Sequence, residues 1–419
     1  MRASAEAAEI RSVCELRALK GALGERLRSG APPLARRVEV LAEVSARWRR
    51  RRDPFRLLAV ARLGSEAGLS PASAEAGLDA TLVAWTPRAW RTLAEREVAG
   101  GGAPPGVVPH VLAGALPGPA LLPLFFTLLA GGAPMARAGR RAPSLPALGL
   151  ASVAAVDPEL GARGAVCRWP RGRADLLAAL FEDAAVGSAT GGDAAVAAVR
   201  AHVPTGVRLL AHPSRTSVAA VAAGALARDR DVGGAARRLA RDVTLHDQAG
   251  CLSPVGVLVV GGGASAAERL AAALARELER TERRRPRLRP DPDEAAALRA
   301  FHDSFAAAGR RRVHAGEGLA WVVGRLAPGE RPPASPLLRS VWVLPVPDAA
   351  GAERALAAWR GRLAGFGVLG TPSERSALRA VGRALGASWL PRAGRLQSPP
   401  LAWRADGIRP VADLLGPRP

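Results

Sequence analysis

Short apolar segments of strand length alternate with helix-length segments from residue 107 onward, and this alternation constrains the fold more than any other feature. Residues 107–114 predict a strand, and residues 115–132 predict a turn and a helix that ends at a Gly pair. Residues 133–139 predict the next strand and residues 145–156 another helix. Alternation at this spacing is typical of a mostly parallel sheet with helices on both faces, so the sequence predicts an α/β protein.

The same alternation continues through the rest of the chain. Helices are predicted at residues 174–181, in the charged segment after residues 261–263, and at residues 353–363. Strands are predicted at residues 165–170, 206–210, 257–260, 340–346 and 365–370, and residues 183–200 predict a strand, a Gly-rich turn and a helix. Before residue 98 the apolar spacing is helical, and three consecutive glycines within residues 98–105 predict a linker.

Residues 240–254 stand out because Asp, His, Gln, Cys and Ser are gathered there in a chain made mostly of Ala, Arg, Leu, Gly and Pro. Gly250 lets the backbone come close to Cys251, and Ser253 with Pro254 predicts a turn just past the thiol. A thiol is a useful nucleophile when it is partly exposed and its thiolate is favoured by backbone N–H groups or a helix N-terminus. The alternative is a small cysteine buried in the core.

The order of residues around Cys251 is specific. Asp247, Gln248 and Gly250 precede it, and Leu-Ser-Pro follows it at residues 252–254. This run resembles the cysteine motif of the acyl-CoA reductase family, which includes the fatty-acid reductase of bacterial bioluminescence and lies within the aldehyde dehydrogenase superfamily. The resemblance implies that Cys251 takes the acyl group from a thioester.

The resemblance also implies an architecture. It covers residues 107–415, strongly at the thiol and loosely elsewhere. The implied fold is α/β and aldehyde dehydrogenase-like, with a Rossmann-type nucleotide-binding domain, a second α/β catalytic domain and a helical N-terminal region. The predicted divisions are a helical region at 1–98, a nucleotide-binding domain at 99–216, a catalytic cysteine domain at 217–390 and a C-terminal tail at 391–419.

Gly187, Ser188, Gly191 and Gly192 are predicted to follow a strand and open a helix, an arrangement that offers backbone N–H groups to a phosphate. Alone, Gly and Ser at such a turn more often form a helix cap. The superfamily that this chain resembles carries a Gly-Ser pair there that meets the cofactor pyrophosphate, so the resemblance makes Gly187 and Ser188 the cofactor candidates. No GxGxxG motif stands at this strand-to-helix turn, as is also the case in that superfamily.

Two positions depart from the family pattern. The family has an Asn, thought to help bind the thiohemiacetal oxyanion, where this chain has Ala115. Loss of one oxyanion donor costs a factor of about a hundred to a thousand in rate, so Ala115 favours reduced or altered activity. The family lysine that holds the cofactor ribose is replaced by Arg137, which with Arg140 or Arg141 favours NADPH because Arg binds phosphate as a planar fork. A general replacement of Lys by Arg explains the same residue, since Lys20 is the only lysine.

Two histidines are weighed for proton transfer. Aldehyde-oxidising relatives carry a glutamate base where this chain has His212 or no equivalent residue, and a reductase that discharges its thioester by hydride needs no such base. A structural role beside Pro213 is the other explanation of His212. His246, five residues before the thiol, is a minor candidate for proton transfer to the leaving thiolate or the aldehyde oxygen.

The chain carries a net charge of +22, which raises nucleic acid as a partner. Its arginines are scattered and no nucleic-acid module accompanies them, so no nucleic-acid partner is expected. The same positive field suits a substrate that carries phosphates, such as coenzyme A or NADPH.

Compartment and membrane topology are also predicted from the sequence. Three cysteines without metal-ligand spacing, and no secretory signal, predict a reducing cytoplasm and no metal site. The uncharged residues 111–133 contain three prolines, which predict a broken segment and no membrane span.

The predicted function is NADPH-dependent reduction of an acyl-CoA or acyl-carrier-protein thioester to the aldehyde, through an acyl group on Cys251, with coenzyme A as a product. One alternative, supported by Ala115, is a catalytically impaired relative that acts as a scaffold or partner subunit. A second, a basic nucleic-acid binder, predicts steeply salt-dependent binding. A homo-oligomer is possible on either of the first two hypotheses.

Overall fold

The computed structural model of this protein describes residues 6–114, 116–288, 290–309 and 312–416. The chain divides into two compact units. The first comprises residues 1–68, 81–214 and 400–419, and the second comprises residues 69–80 and 215–399.

From residue 107 onward helices and strands mostly alternate in the described chain, whereas the region before it is mainly helical. The helices are α1 (Val13–Leu27), α2 (Leu34–Arg49), α3 (Pro54–Ala67), α4 (Pro71–Leu82), α5 (Pro87–Glu97), α6 (Pro117–Ala130), α7 (Ser144–Ala154), α8 (Pro158–Ala162), α9 (Ala174–Phe181), α10 (Asp193–Arg200), α11 (Asp229–Thr244), α12 (Gly263–Arg284), α13 (Pro292–Ala306), α14 (Ala349–Ala355) and α15 (Pro372–Ala384). The strands are β1 (Ala8–Glu9), β2 (Val107–Val111), β3 (Ala133–Arg137), β4 (Ala165–Arg168), β5 (Val186–Thr190), β6 (Arg208–His212), β7 (Thr216–Ala222), β8 (Pro254–Val260), β9 (Val313–Ala315), β10 (Val322–Arg325), β11 (Ser340–Val346) and β12 (Leu363–Leu369). This alternation confirms the predicted α/β class.

The sheet of the first unit is parallel across its described strands, in the order β1-β4-β3-β2-β5-β6. From β2 the chain proceeds outward through β3 to β4, and from β5 it proceeds the other way to β6. The direction of winding therefore reverses between β2 and β5. In open α/β sheets, ligands bind outside the carboxyl ends of the strands at such a reversal.

The sheet of the second unit has the order β12-β7-β8-β11-β10-β9, and its pairs are parallel except for β10 with β9. Alternate side chains enter different cores because successive strand residues point to opposite faces. Val257 and Val343 belong to one apolar cluster, whereas Leu258 and Trp342 belong to another. Continuous burial along β8 and β11 is the pattern of strands covered on both faces.

Several predicted elements match the structure closely, among them α9 and β11, while residues 353–363 were wrongly predicted as a helix. Helix α14 ends at Ala355, and β12 begins at Leu363. The helix begins early because the Asp348 side chain accepts the N–H of Gly351 at 2.7 Å. Gly361, at φ 73°, lies in the left-handed conformation before β12.

The uncharged segment at residues 111–133 is broken, as predicted. It contains the end of β2, helix α6 and the start of β3. Helix α6 has 14 residues, with Pro117 at its start, Pro123 inside it and Gly131 as its left-handed C-cap at φ 89°. Over the described ranges, every helix is too short or too polar to cross a bilayer.

Candidate active site

Residues 246–254, here called the thiol loop, connect helix α11 to strand β8 in the second unit. Cys251 is exposed in this loop, whereas Leu252 and Ser253 beside it are buried. Cys167 is fully buried in the first unit, and burial raises the pKa of its thiol to about 12. Cys167 therefore stays protonated near neutral pH, and Cys251 has the exposure that a nucleophile needs.

The Gln248 side chain closes the thiol loop. Its Nε2 donates to the carbonyl of Pro254 at 2.8 Å and to the carbonyl of Ser340 at 2.9 Å. Its Oε1 accepts the N–H of Ser340 at 2.8 Å. Because Pro254 and Ser340 begin strands β8 and β11, the amide fastens the loop to the amino edge of two adjacent strands.

Asp247 is held by a buried arginine. The Arg339 guanidinium donates to Oδ1 of Asp247 through Nε at 3.0 Å and through Nη2. Its Nη1 donates to Glu282 at 2.5 Å, and its Nη2 also donates to the carbonyl of Arg285 at 2.9 Å. Burial raises the pKa of Asp247, and the charge of Arg339 opposes part of that rise. The ion pair thus ties the thiol loop to the end of helix α12.

Two further contacts fix the backbone on either side of the sulfur. The carbonyl of Cys251 accepts the Ser217 hydroxyl at 2.7 Å, and Ser217 Oγ in turn accepts the N–H of Gly365 at 2.9 Å. The Ser253 hydroxyl accepts Nε2 of Gln397 at 2.6 Å. Gln397 belongs to the closing segment in which the sequence shows its looser resemblance.

Asp242, in the last turn of α11, holds the same closing segment. Its carboxylate accepts the N–H of Gly394 at 2.5 Å and that of Leu396 at 3.1 Å, and its carbonyl accepts Nε2 of Gln397. Burial raises the pKa of Asp242 to about 7, although the two N–H groups oppose the rise. Asp242 therefore titrates close to neutral pH.

His246 lies inside the second unit with 4% of its surface exposed. Burial lowers the pKa of its imidazole to about 4, so the ring is neutral near pH 7. Its ring lies against Gly77 of helix α4, where an added Cβ would come within 2.5 Å of Nδ1 and Cε1. That His246 transfers a proton stays a prediction.

Three consecutive residues of the thiol loop have a left-handed backbone. His246, Asp247 and Gln248 have φ values of 55°, 49° and 65°. Residues other than Gly adopt this conformation at a cost, and they keep it only where surrounding contacts hold them. Each of these three side chains is buried, so the loop is anchored just before Cys251.

In the first unit, the predicted position of the Gly-Ser pair is wrong. Gly187 and Ser188 lie within strand β5, which ends at Thr190, and the turn into α10 is formed by Gly191 and Gly192. A Cβ on Gly187 would lie 2.6 Å from the Phe181 ring, so this glycine is required for packing.

The Ser188 hydroxyl lies in a buried polar chain. Its Oγ is 2.7 Å from Nδ1 of His110, and Nε2 of His110 is 2.8 Å from the Thr127 hydroxyl. Burial lowers the pKa of His110 to about 3, so this ring is neutral. The structure thus places Ser188 in the core between β5 and β2, and a contact with the cofactor stays a prediction.

Arg137 and His212 end two strands at the carboxyl edge of the first sheet. The Arg137 guanidinium stacks on Trp169, with Cζ 5.2 Å from the ring centroid, and its Nε is buried with no hydrogen-bond partner among the described residues. Burial lowers the pKa of Arg137. Nδ1 of His212 lies 2.9 Å from Oδ2 of Asp406, which gives this histidine a structural partner. Ala115 lies outside the described residues.

Sequence reasoning missed the residues that hold the thiol loop from elsewhere in the chain. Arg339 and Ser340 are 92 positions from the residues they bind, and Ser217 is 34 positions from Cys251. The local signal was weak, since Arg339 is one of many arginines. Ser340 marks the start of a correctly predicted strand, but its contact with Gln248 depends on which strands are adjacent.

Comparison with solved structures shows that this is an aldehyde dehydrogenase-like fold. An oxidoreductase from Marinobacter aquaeolei has a TM-score of 0.72 at 13% identity, covering 93% of this chain and 84% of that one. A 1-pyrroline-5-carboxylate dehydrogenase from Thermus thermophilus has a TM-score of 0.68 at 16% identity, with coverages of 97% and 84%. An NAD-dependent benzaldehyde dehydrogenase from Corynebacterium glutamicum has a TM-score of 0.68 at 13% identity, with coverages of 97% and 90%.

The sequence identifies the family within this fold. The sequence model of the acyl-CoA reductase (LuxC) family matches residues 92–416 of this chain. The chain belongs to this family, which confirms the resemblance drawn from the residues around Cys251, and it is an oxidoreductase that acts on acyl or aldehyde groups. Among curated proteins, none matches the chain significantly.

Proposed function

We propose that this protein reduces an acyl thioester to an aldehyde, with Cys251 as the residue that carries the acyl group. The observation that supports this most directly is that Cys251 is exposed on a loop whose adjacent side chains are buried and hydrogen-bonded. A nucleophile held in one conformation reacts without first being ordered. Membership of the family supports a thioester as the substrate.

In the proposed reaction, the Cys251 thiolate attacks the carbonyl carbon of an acyl-CoA or of an acyl group on a carrier protein. The new bond from sulfur to carbon forms, the bond from carbon to the sulfur of coenzyme A breaks, and coenzyme A leaves as its thiolate. Holding the acyl group covalently divides one difficult step into two easier ones.

The carboxyl edge of the first sheet has residues that suit a nicotinamide cofactor. Gly191 and Gly192 turn into the N-terminus of α10 and have no side chain to obstruct a pyrophosphate. At the same edge lies the buried Nε of Arg137, for which the described part of the chain offers no hydrogen-bond partner. When bound, NADPH supplies the hydride that converts the acyl group into the aldehyde and frees Cys251.

We propose NADPH over NADH because of Arg137. A guanidinium binds phosphate with two parallel hydrogen bonds, and Trp169 fixes the plane of this one. The test compares cofactors in the Arg137→Lys variant. Preference for NADPH is expected to fall several-fold, and an unchanged preference would remove Arg137 from this role.

Acyl transfer tests the proposed function. Radiolabelled acyl-CoA should label the wild-type chain at Cys251, and added NADPH should release the label as aldehyde. Cys251→Ser should take up no label. Cys14→Ser is the matched control, because Cys14 is the other exposed thiol, and it should behave as wild type. If Cys251→Ser is labelled as fast as wild type, the proposal fails.

A second candidate function is that of a scaffold or partner subunit with little turnover. Ala115, in place of the family asparagine, favours it. A scaffold takes no label from acyl-CoA and oxidises no NADPH. Restoring the family residue with Ala115→Asn should raise turnover by about a hundredfold if the missing amide limits the rate.

A further inference from the structure

Two pairs of adjacent residues interlock behind Cys251. The Asp247 side chain binds the Arg339 side chain, while the Gln248 side chain binds both the N–H and the carbonyl of Ser340. Asp247 and Arg339 therefore form the part of this contact that depends on charge, and Gln248 and Ser340 form the part that depends on the backbone.

The three residues that end at Arg339 also have a left-handed backbone. Leu337, Leu338 and Arg339 have φ values of 66°, 57° and 64°, which matches the conformation of residues 246–248. Two strained turns thus face each other, and neither is made permissive by glycine. Such turns persist when their surroundings determine them, so the contacts between them decide the conformation of both.

Arg339 makes all of the charged contacts in this group. It is 0% exposed, and its guanidinium joins Asp247 of the thiol loop to Glu282 and the carbonyl of Arg285 at the end of α12. Helix α12 is 22 residues long and buries a row of apolar side chains, so it is a rigid support. Because the guanidinium binds both this helix and Asp247, it restrains the backbone four residues before the thiol.

We propose that Arg339 is a positioning residue for the reaction at Cys251, acting through Asp247; this inference rests on the proposed acyl transfer. Lysine cannot replace it, because the contacts use three nitrogens of a planar fork and an ammonium is a single point charge. Arg339 does not touch the substrate. It sets where the sulfur is when the thioester arrives.

The test uses Arg339→Lys, which keeps the charge, in a Cys14→Ser background where Cys251 is the exposed thiol. Two rates are compared: acylation of Cys251 by acyl-CoA, and alkylation of the same sulfur by iodoacetamide. Acylation at saturating acyl-CoA is expected to fall between about tenfold and a hundredfold, because small displacements of reacting groups have effects of that size. KM should stay within about twofold and alkylation within about threefold, because positioning acts on the bound substrate and not on the reactivity of a free thiol.

Arg280→Lys is the matched control. Arg280 lies on helix α12, whose Glu282 is bound by Arg339. Arg280 is mostly exposed and pairs with Glu277, so its replacement should change neither rate. If Arg339→Lys does not fold, Asp247→Asn repeats the test with the shape of the side chain preserved.

Four outcomes decide the proposal. Acylation that falls while alkylation and KM hold supports it. Unchanged acylation overturns it, and so does a parallel fall of acylation, alkylation and melting temperature, because that result indicates a structural role alone. A wild-type chain that takes up no acyl group overturns the proposed function, and this inference with it.

Discussion

The thiol loop of the second unit and the β5–α10 turn of the first unit are held by different parts of the chain. The thiol loop is fixed by contacts with distant segments: its own Gln248 binds Ser340, and the side chains of Arg339 and Gln397 bind the loop. The β5–α10 turn is formed by the backbone of Gly191 and Gly192, and at its outer end the Asp193 side chain accepts the N–H of Ser214 at 2.9 Å.

This difference reflects the chemistry proposed for each. A covalent nucleophile has to be at one place, so its loop is specified by hydrogen bonds that few substitutions preserve. A pyrophosphate is bound by N–H groups that every residue except proline has, so its turn requires mainly the absence of side chains. Substitutions should therefore have larger effects in the thiol loop than in the turn.

The largest effect is expected for Gln248→Ala. The substitution removes the three hydrogen bonds that the amide makes to Pro254 and Ser340. Ser340 keeps its contacts with the Ser335 hydroxyl and the carbonyl of Leu337, so the cost is that of the lost hydrogen bonds. At about 1 kcal/mol for each of them, the free energy of unfolding should fall by about 3 kcal/mol. Urea unfolding measures this free energy, and a loss below about 1 kcal/mol would contradict the role of the Gln248 amide in holding the thiol loop.

A pH-dependent effect of similar origin is expected from Asp242. Its pKa is about 7 in the folded protein against an ordinary 3.8, so the folded state binds more protons between these values. Stability should fall as pH rises through this window, by at most about 1.4 kcal/mol per pH unit, and level off above it.

Comparison of wild type with Asp242→Asn isolates that contribution. Urea unfolding at pH 5 and pH 8 gives the pH dependence of each, and the contribution of His246, whose pKa is lowered to about 4, cancels in the difference. Equal pH dependence in the two proteins would show that Asp242 does not titrate in this range.

Gly77→Ala should loosen the thiol loop from the side of His246. A methyl group there would meet the imidazole at 2.5 Å, and overpacking a buried site costs about 1–3 kcal/mol. The control is Gly233→Ala on helix α11, where an added Cβ has no neighbour within 4 Å and should be neutral or slightly stabilising. Thermal melts of both variants measure this, and equal melting temperatures would mean that the histidine moves without cost.

A smaller effect is expected for Ser188→Ala. The variant removes the hydroxyl that partners His110, which should cost about 1 kcal/mol of stability. Because that hydroxyl lies in the core, KM for NADPH should change by less than about twofold. A rise of KM beyond fivefold would instead establish Ser188 as a cofactor contact.

The smallest effect is expected for Asp193→Asn. Asp193 begins helix α10 beside the β5–α10 turn, where its negative charge opposes a cofactor phosphate. Removing a charge at a helix N-terminus changes binding by about 0.3–1 kcal/mol, so NADPH should bind roughly two- to fivefold more tightly. Fluorescence titration at low salt measures it. Weaker binding would indicate that the contact of Asp193 with Ser214 keeps the turn in the conformation that binds the cofactor.

The thiol and much of the fold could be predicted from the sequence because each depends on residues that are neighbours along the chain. Cys251 is surrounded by unusual residues, and buried strands such as residues 340–346 have a continuous apolar pattern. The end of β5 was misplaced because its Ala, Gly and Ser residues fit a strand or a turn equally well, and pairing with β6 extends it to Thr190. Arg339 was not predicted because its contacts follow from the order of strands in the folded sheet.

One consequence concerns how this chain changes over evolutionary time. In the thiol loop, the contact made by Ser217 is to the carbonyl of Cys251, a group that every amino acid has. A descendant with another small residue in place of Cys251 would retain the Gln248 hydrogen bonds, the ion pair of Asp247 with Arg339 and the contacts of the closing segment. Loss of chemistry therefore need not bring loss of shape.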